Sequence, residues 1–325
     1  MKLPFKVPIE RHKNNKLAYY TRNVLELAVP RFVFRRQLRR ELAMASRFDA
    51  GYVAGRVDYY NKLEGPKPLS GDTPRIRDLE LQKKHNVYVL DTLQVARYFD
   101  GDLRLAHVFG DVAHVPPVPS VVKSRPVDGD NANSVLLKLN KVRHFTFVND
   151  RRPFASKKDM LVFRAAVNQP QRARFLELYR GHPLCDVGQT NRRGGNPAWQ
   201  AERMTIDQQL DYKFILCIEG HDVASSLKWV MSSSSVAVMP RPKFETWFME
   251  GKLLPGVHYV CIREDYSDLE EKLHHYMAHP GEAVEIARNA NLHVAQFKDR
   301  RREKLISLLV LDKYFEKTGQ KHWGG

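Results

Sequence analysis

Asp111 opens the chemistry of this chain. It stands in FGDVAHVPPVPSVVKSRP, residues 109–126. LRLAHVFGD reads as a strand rich in β-branched and aromatic residues, so Asp111 falls at a strand's carboxyl end, where α/β folds gather their ligands. Pro116, Pro117 and Pro119 stiffen the loop that follows. Lys123 and Arg125 then present positive charge, as candidates to bind a substrate and as cations that keep a neighbouring carboxylate ionised. An ionised carboxylate beside a substrate hydroxyl is a general base. The plainer role is an Asp that caps a turn.

Three other stretches carry candidates. In CIEGHDVASS, residues 217–226, a buried strand ends at Gly220 and turns at once into a helix with Asp222 as its expected N-cap. Glycine lets a ligand approach the backbone, and a helix start offers unpaired N–H groups to phosphate. His221, Ser225, Ser226 and Lys228 add donors around that turn. No Walker loop or GxGxxG string is present, so an ordinary strand-to-helix turn fits the spacing as well. Arg164, Asn168 and Arg172 follow the strand MLVFRAA, and arginine forks suit diphosphate oxygens, although an arginine in so basic a chain is often only a surface charge. In PRPKFETWFMEG, Glu245 and Glu250 flank an aromatic cluster. A carboxylate there accepts hydrogen bonds from ribose hydroxyls, or simply stays solvated on a surface helix.

Metal and nucleophile signatures are missing. HExxH, CxxC and GxSxG do not occur, and His182 with Cys185 lacks the further ligands a zinc site needs. Cys217 sits inside an apolar strand and reads as a packed core residue.

The elements that position these residues alternate. HNVYVLD, LRLAHVFGD, VRHFTFVND, MLVFRAA, KFILCIEG, SVAVMP and VHYVCIRE read as strands. Helices are expected at 170–180, over DVASSLKWVM and KFETWFMEG, and at 267–277, 282–295 and 298–317. This alternation implies parallel sheets with right-handed crossovers, in two Rossmann-like series dividing near residues 150–160. The expected division is into 1–155 and 156–297, followed by a helix over 298–325. Near the start, FVFRRQLRRELAM places Phe34, Leu38 and Leu42 at helical spacing among Arg35, Arg36, Arg39 and Arg40. That pattern suits a basic helix on anionic lipid, or the solvated face of an ordinary helix.

Composition bounds the partners. In 325 residues, 53 Lys+Arg stand against 37 Asp+Glu, a formal charge of +16 that favours an anionic partner without choosing one. Three cysteines cannot form a disulfide framework, and no apolar run nears the roughly 18 residues of a membrane span. MKLPFKVPIERHKNNK lacks the apolar core of a secretory signal, so a cytoplasmic place is expected. A non-catalytic basic module for nucleic acid or membrane would explain the charge. It leaves the acid-bearing strand ends unexplained, and no RNA-recognition, zinc-finger or helix-turn-helix signature supports nucleic acid.

EGHDVASSLKW and MPRPKFETWFMEGKLLPGVHYVCIREDYSDLEEKL closely resemble the carboxyl half of glycosyltransferase family 90, the CAP10-like family. FGDVAHVPPVPSVVKSRPV and NSVLLKLNKVRHFTFVNDRRPFASKKDMLVFRAA look like its bacterial branch, so the likeness spans roughly residues 85–300, with RVDYYNKL adding to it. The resemblance implies a GT-B-type α/β fold, two Rossmann-like domains facing a central cleft, with the acceptor on 1–155, the nucleotide sugar on 156–297 and the helix over 298–325 crossing back to the first. It implies an inverting transferase that moves one hexose or pentose from a UDP-sugar, with no metal and no further cofactor. It makes Asp111 the catalytic base and places Arg164, Asn168, Arg172, Gly220, His221, Asp222, Ser225, Ser226, Lys228 and Glu245 around the donor. The implied acceptor is a saccharide, lipopolysaccharide core or a related surface glycan, met on the cytoplasmic face of an anionic inner membrane. Capsule or a protein hydroxyl is the alternative acceptor. Two departures stand out. Arg164-Ala165-Ala166-Val167 replaces an Arg-Gly-Ser-Arg string of the eukaryotic members, and Ser226 stands where they carry an arginine.

Overall fold

The structure, a computed structural model, describes residue 12, residues 14–81 and residues 84–320. Most of the stretch read for a secretory signal therefore lies outside the described residues. In chain order the strands are β1 (His107–Val108), β2 (Ser120–Val122), β3 (Ser124–Pro126), β4 (Ser134–Leu136), β5 (Lys158–Ala165), β6 (Cys185–Gln189), β7 (Tyr212–Leu216), β8 (Val236–Met239), β9 (Phe244–Thr246) and β10 (Val260–Cys261). The helices are α1 (Lys16–Leu27), α2 (Arg31–Ala43), α3 (Ala50–Tyr60), α4 (Asn86–Ala96), α5 (Lys141–His144), α6 (Pro170–Tyr179), α7 (Ile206–Gln209), α8 (Leu227–Val230), α9 (Leu269–Ala278), α10 (Pro280–Ala295) and α11 (Arg300–Lys317). The result is a mixed α/β protein with parallel sheets, in two compact units.

One unit comprises residues 1–14, 143–242 and 252–296. Its sheet has the order β10-β8-β7-β5-β6 and is parallel throughout. The chain lays β5 beside β6, then returns to the other side of β5 for β7, β8 and β10. The order therefore reverses between β5 and β7, and the crevice outside the carboxyl ends of those strands is the place where such sheets bind ligands. Leu161, Phe163, Phe214, Leu216, Val236 and Val238 fill the core together with Phe175, Leu269, Leu273 and Ile286 from the helices. Pro170 at the first turn starts α6, where its missing N–H costs nothing.

The other unit comprises residues 15–142, 243–251 and 297–325. Strands β1, β2 and β4 form a parallel sheet, in that order. β3 and β9 pair antiparallel, with Arg125 opposite Glu245. Helix α11 packs on α3 and α4. Its Tyr314 hydroxyl donates to the Pro119 carbonyl and accepts from the Ala106 amide, both at 3.0 Å.

Several expected elements differ. HNVYVLD is not a strand but the first half of α4, buried at Tyr88, Val89, Leu90, Asp91, Thr92 and Leu93. A helix buried on nearly every side loses its polar stripe and reads as a continuous apolar run. VRHFTFVND forms the end of the short α5 and then an unladdered segment, where the Val148 amide bonds Ser232 Oγ at 2.9 Å. KFETWFMEG is not a helix: it is β9 and a turn, with Met249 at φ 56°. Glu250 accepts the Thr246 amide there at 2.6 Å, closing the turn. DVASSLKWVM yields a single helical turn, α8, preceded by Ser226 rather than capped by Asp222. A four-residue helix sums too few peptide dipoles to act as the expected phosphate anchor.

Candidate active site

Arg172 organises the crevice outside β5 and β7. Its Nη1 donates to the Ala166 carbonyl at 3.0 Å, just after β5. Its Nη2 and Nε donate to the carbonyls of Ile218 and Glu219, both at 3.1 Å, just after β7. The guanidinium is a staple across the two strand ends. Burial, and then the Arg143 cation, hold its pKa below the ordinary value. A Cβ on Gly220 would stand 3.1 Å from Arg172 Nη2, so glycine keeps this approach open. Gln171 Nε2 donates to the Gly220 carbonyl at 3.0 Å, and the Gly220 amide closes the turn onto the Asp222 carbonyl at 3.0 Å.

The other expected donor residues distribute around this staple. His221 is exposed, with its ring 3.0 Å from Gln169 Nε2. Asn168 Oδ1 accepts from Asn191 Nδ2 at 3.1 Å. Ser225 and Ser226 are half-buried, and Ser226 Oγ lies 3.6 Å from Cys217 Sγ. Asp222 and Lys228 are buried. Arg164 bonds Asp186, with Nη2 to Oδ1 at 2.5 Å and Nη1 to the backbone carbonyl at 2.8 Å, and its Nε reaches the Glu202 carbonyl at 3.1 Å. Its guanidinium is thus held by protein acceptors. Burial pushes the Cys217 thiol up to about 12, which keeps it protonated and unreactive at neutral pH.

Sequence reasoning missed the loop after β6. There Asn191 receives the Val167 amide at 2.8 Å, and Gly194 and Gly195 take φ values of 72° and 75°. CDVGQ is too short and polar to announce a strand, so the loop following it went unread. The two consecutive glycines were its available signal.

In the other unit, Asp111 lies just past β1 and Lys123 just past β2, on the carboxyl edge of the parallel sheet. Lys123 donates a short ion-paired hydrogen bond to Asp111 Oδ1. The buried Tyr88 hydroxyl donates to the same oxygen at 3.2 Å and accepts from Asn140 Nδ2 at 3.3 Å. The Asp111 side chain is 27% exposed and that of Lys123 only 2%, so the carboxylate is reachable while the cation beneath it is not. Lys123 faces the expected base instead of standing open to an acceptor. Arg125 is fully buried. It gives Nε to Glu245 at 2.8 Å, Nη1 to the Ser134 carbonyl at 3.1 Å and Nη2 to the Tyr59 carbonyl at 2.6 Å. Glu245 also accepts from the Tyr59 hydroxyl, whose pKa is raised by burial and then by that carboxylate. The structure therefore joins Arg125 and Glu245 to each other, in the unit that holds Asp111.

For metals, His275, His279 and Glu282 have ligand atoms within 4.8 Å of one another, but all three are exposed. The 2.9 Å contact of His275 Nε2 with Glu282 accounts for that grouping as a surface pair.

A model of glycosyl transferase family 90 matches residues 137–301, half of the chain. This span covers the stapled crevice and Glu245; Asp111, Lys123 and Arg125 precede it. O-glucosyltransferase LpsA of Dichelobacter nodosus is 44% identical over 263 residues, 81% of this chain and 82% of that protein. Uncharacterized protein 027R of frog virus 3 is 34% identical over 36% of this chain and 12% of its own length. Protein O-glucosyltransferase 3 of Homo sapiens is 26% identical over 51% of this chain and 34% of its own length. With half the chain matched and a relative aligned along most of both lengths, the chain belongs to glycosyl transferase family 90.

Proposed function

We propose that this transferase moves a single hexose or pentose from a UDP-sugar to a saccharide acceptor with inversion, without a metal or other cofactor, on a GT-B-type fold. Asp111 is the base in this reading. The observation that carries it is the reachable carboxylate at the end of β1, backed by a buried lysine and a tyrosine hydroxyl. Inversion takes one in-line displacement at the anomeric carbon. The acceptor hydroxyl passes its proton to Asp111 as its oxygen forms the new bond, and UDP leaves from the opposite face with the electron pair. The charge growing on UDP needs fixed positive groups and amide donors. The strand ends beyond β5 and β7 offer the exposed His221 and Asn168 and the backbone of the Gly220 turn, and Lys228 on α8 contributes positive charge from a buried position. Arg172 serves by holding that turn in shape.

The acceptor in this reading is lipopolysaccharide core or a related surface glycan, met in the cytoplasm at an anionic inner-membrane surface. The support is the bacterial relative named O-glucosyltransferase LpsA and the net charge of +16. The likeness to protein O-glucosyltransferase 3 favours a protein hydroxyl as the second acceptor, over a shorter span and at lower identity. Nucleic acid is not a partner in this reading.

Asp111→Asn tests the base. The variant is expected to lose transfer by about 100-fold or more, the scale of general base catalysis. UDP should still raise its melting temperature, because ligand binding to the native state stabilises by mass action. Released UDP, assayed across a panel of UDP-sugars with and without a chelator, reads both donor choice and metal need. A fully active Asp111→Asn enzyme would overturn the assignment.

A further inference from the structure

Helix α1 is amphipathic in the reverse sense. Its polar residues face the body of its unit. The Tyr19 hydroxyl donates to Asp91 at 2.7 Å, Asn23 Oδ1 accepts from Gln94 at 2.6 Å, and the Glu26 carbonyl accepts from Arg97 at 2.7 Å. These three residues are spaced i, i+4, i+7, one helical face. The opposite face carries Leu17, Tyr20, Val24 and Leu27 at i, i+3, i+7, i+10, with Leu25 beside them. All five are exposed, Leu17 by 77%, Leu25 by 66% and Val24 by 55%. Val29 and Phe32 continue the apolar surface into α2. Among the described residues, half of the exposed large hydrophobic side chains, seven of fourteen, fall within residues 17–32. Singly exposed apolar residues need no explanation, but a seam of them does.

The charge around this seam names its occupant. Residues 16–40 contain seven cations, Lys16, Arg22, Arg31, Arg35, Arg36, Arg39 and Arg40, and one acid, Glu26. Arg22 pairs with Glu26 and Arg35 with Asp100. Arg36 lies over the exposed ring of Phe32, 5.4 Å from its centroid, while Arg39 and Arg40 are exposed. An apolar stripe bordered by arginines matches a surface that is negative outside and oily beneath. A soluble protein partner would need an apolar groove and a concentrated acidic rim together; an anionic bilayer supplies both along the roughly 18 Å that twelve helical residues span. No helix among the described residues is long and apolar enough to cross a membrane, so the contact lies along the interface.

We propose that the outer face of α1, with the arginines of α2, is an interfacial docking surface for an anionic lipid bilayer. This rests on the membrane contact proposed above and replaces a bare charge argument with a named surface. It does not depend on the donor chemistry.

Sedimentation of the full chain with phosphatidylcholine vesicles, with and without phosphatidylglycerol, tests it. The native chain is expected to bind the anionic vesicles and to release in high salt, as screening weakens the arginine contribution. Val24→Asp, on a face that touches no core, should weaken that binding at least tenfold with an unchanged melting temperature and undiminished stabilisation by UDP. The triple variant Arg36→Gln, Arg39→Gln, Arg40→Gln should lose the preference for phosphatidylglycerol. Native-strength vesicle binding by Val24→Asp overturns the proposal, leaving at most a charge contact. A native dimer that Val24→Asp dissociates overturns it in favour of a second copy. A lowered melting temperature with unchanged vesicle binding overturns it in favour of cover by the chain's own terminal residues. A native chain that ignores both kinds of vesicle overturns it while leaving the sugar-transfer reading to its UDP test.

Discussion

Lys123 shows how one residue's surroundings decide its chemistry. Read along the sequence, a lysine after a proline-stiffened loop is either an open cation for an acceptor or a partner that keeps Asp111 ionised. Folded, its side chain is 2% exposed and its ammonium donates to Asp111. A cation held under a carboxylate favours the charged form of that carboxylate, which is what a base needs before it can take a proton. Lys123→Met keeps the buried stem and removes the charge. Transfer is expected to fall about tenfold, because the carboxylate loses the donor that orients it toward the acceptor hydroxyl. UDP stabilisation should stay native. Undiminished transfer by Lys123→Met would show that the ammonium only fills space. Asp111 itself was legible because a strand end followed at once by an acid is a local pattern. Lys123 was legible beside it, but Tyr88 and Asn140, 23 residues before and 29 after, were not: only the fold brings Tyr88 to Asp111 and Asn140 to Tyr88.

At the scale of elements, the strands of the five-stranded sheet were legible where burial on both faces writes a continuous apolar run, as in β7 and β8. β9 was misread for a physical reason. Phe244, Trp247 and Phe248 fall at helical spacing by coincidence, while the Arg125–Glu245 pair and the Glu250 cap that make it a strand and turn are invisible in a local window. The same limit hid the role of Arg172. Its type suggested phosphate, yet three backbone carbonyls from two strand ends take its donors. Arg172→Leu strips those carbonyls of their partner. At about 1–3 kcal/mol for each buried acceptor left unsatisfied, and with water reaching some, a loss near 3 kcal/mol is expected. Urea denaturation should show it as a lower midpoint, accompanied by weaker UDP stabilisation as the Gly220 turn loosens. Arg172→Lys should rescue little, since one ammonium cannot span the same fork. A native midpoint in Arg172→Leu would mean that water replaces the staple without cost.

For the whole molecule, the question is what the last helix contributes. α11 joins the unit that begins at residue 15, and Leu305, Ile306, Leu308, Val310, Leu311, Tyr314 and Phe315 are each at most 2% exposed. At about 1.5–3 kcal/mol for each fully buried side chain, their loss is as large as the roughly 5–15 kcal/mol that holds a typical domain together, even after discounting for a compact unfolded state. Electrostatics points the same way. Glu303 accepts from Arg56 at 3.0 Å, from Lys138 at 3.2 Å and from Trp247 Nε1 at 2.6 Å. Without it the buried Arg56 loses its carboxylate, as does the half-buried Lys138, and a buried cation deprived of its counter-charge is strongly destabilising. A chain truncated before Lys298 is therefore expected to lose the cooperative folding of residues 15–142 and, with it, the geometry of Asp111 and Lys123. Residues 143–242 and 252–296 keep the apolar core around β5, β7 and β8, which uses nothing from α11. Limited proteolysis should accordingly cut the truncated chain first within 15–142, and transfer should be absent. A truncated chain that melts at the native temperature and still releases UDP in the presence of an acceptor would show that the amino-terminal sheet stands without its final helix.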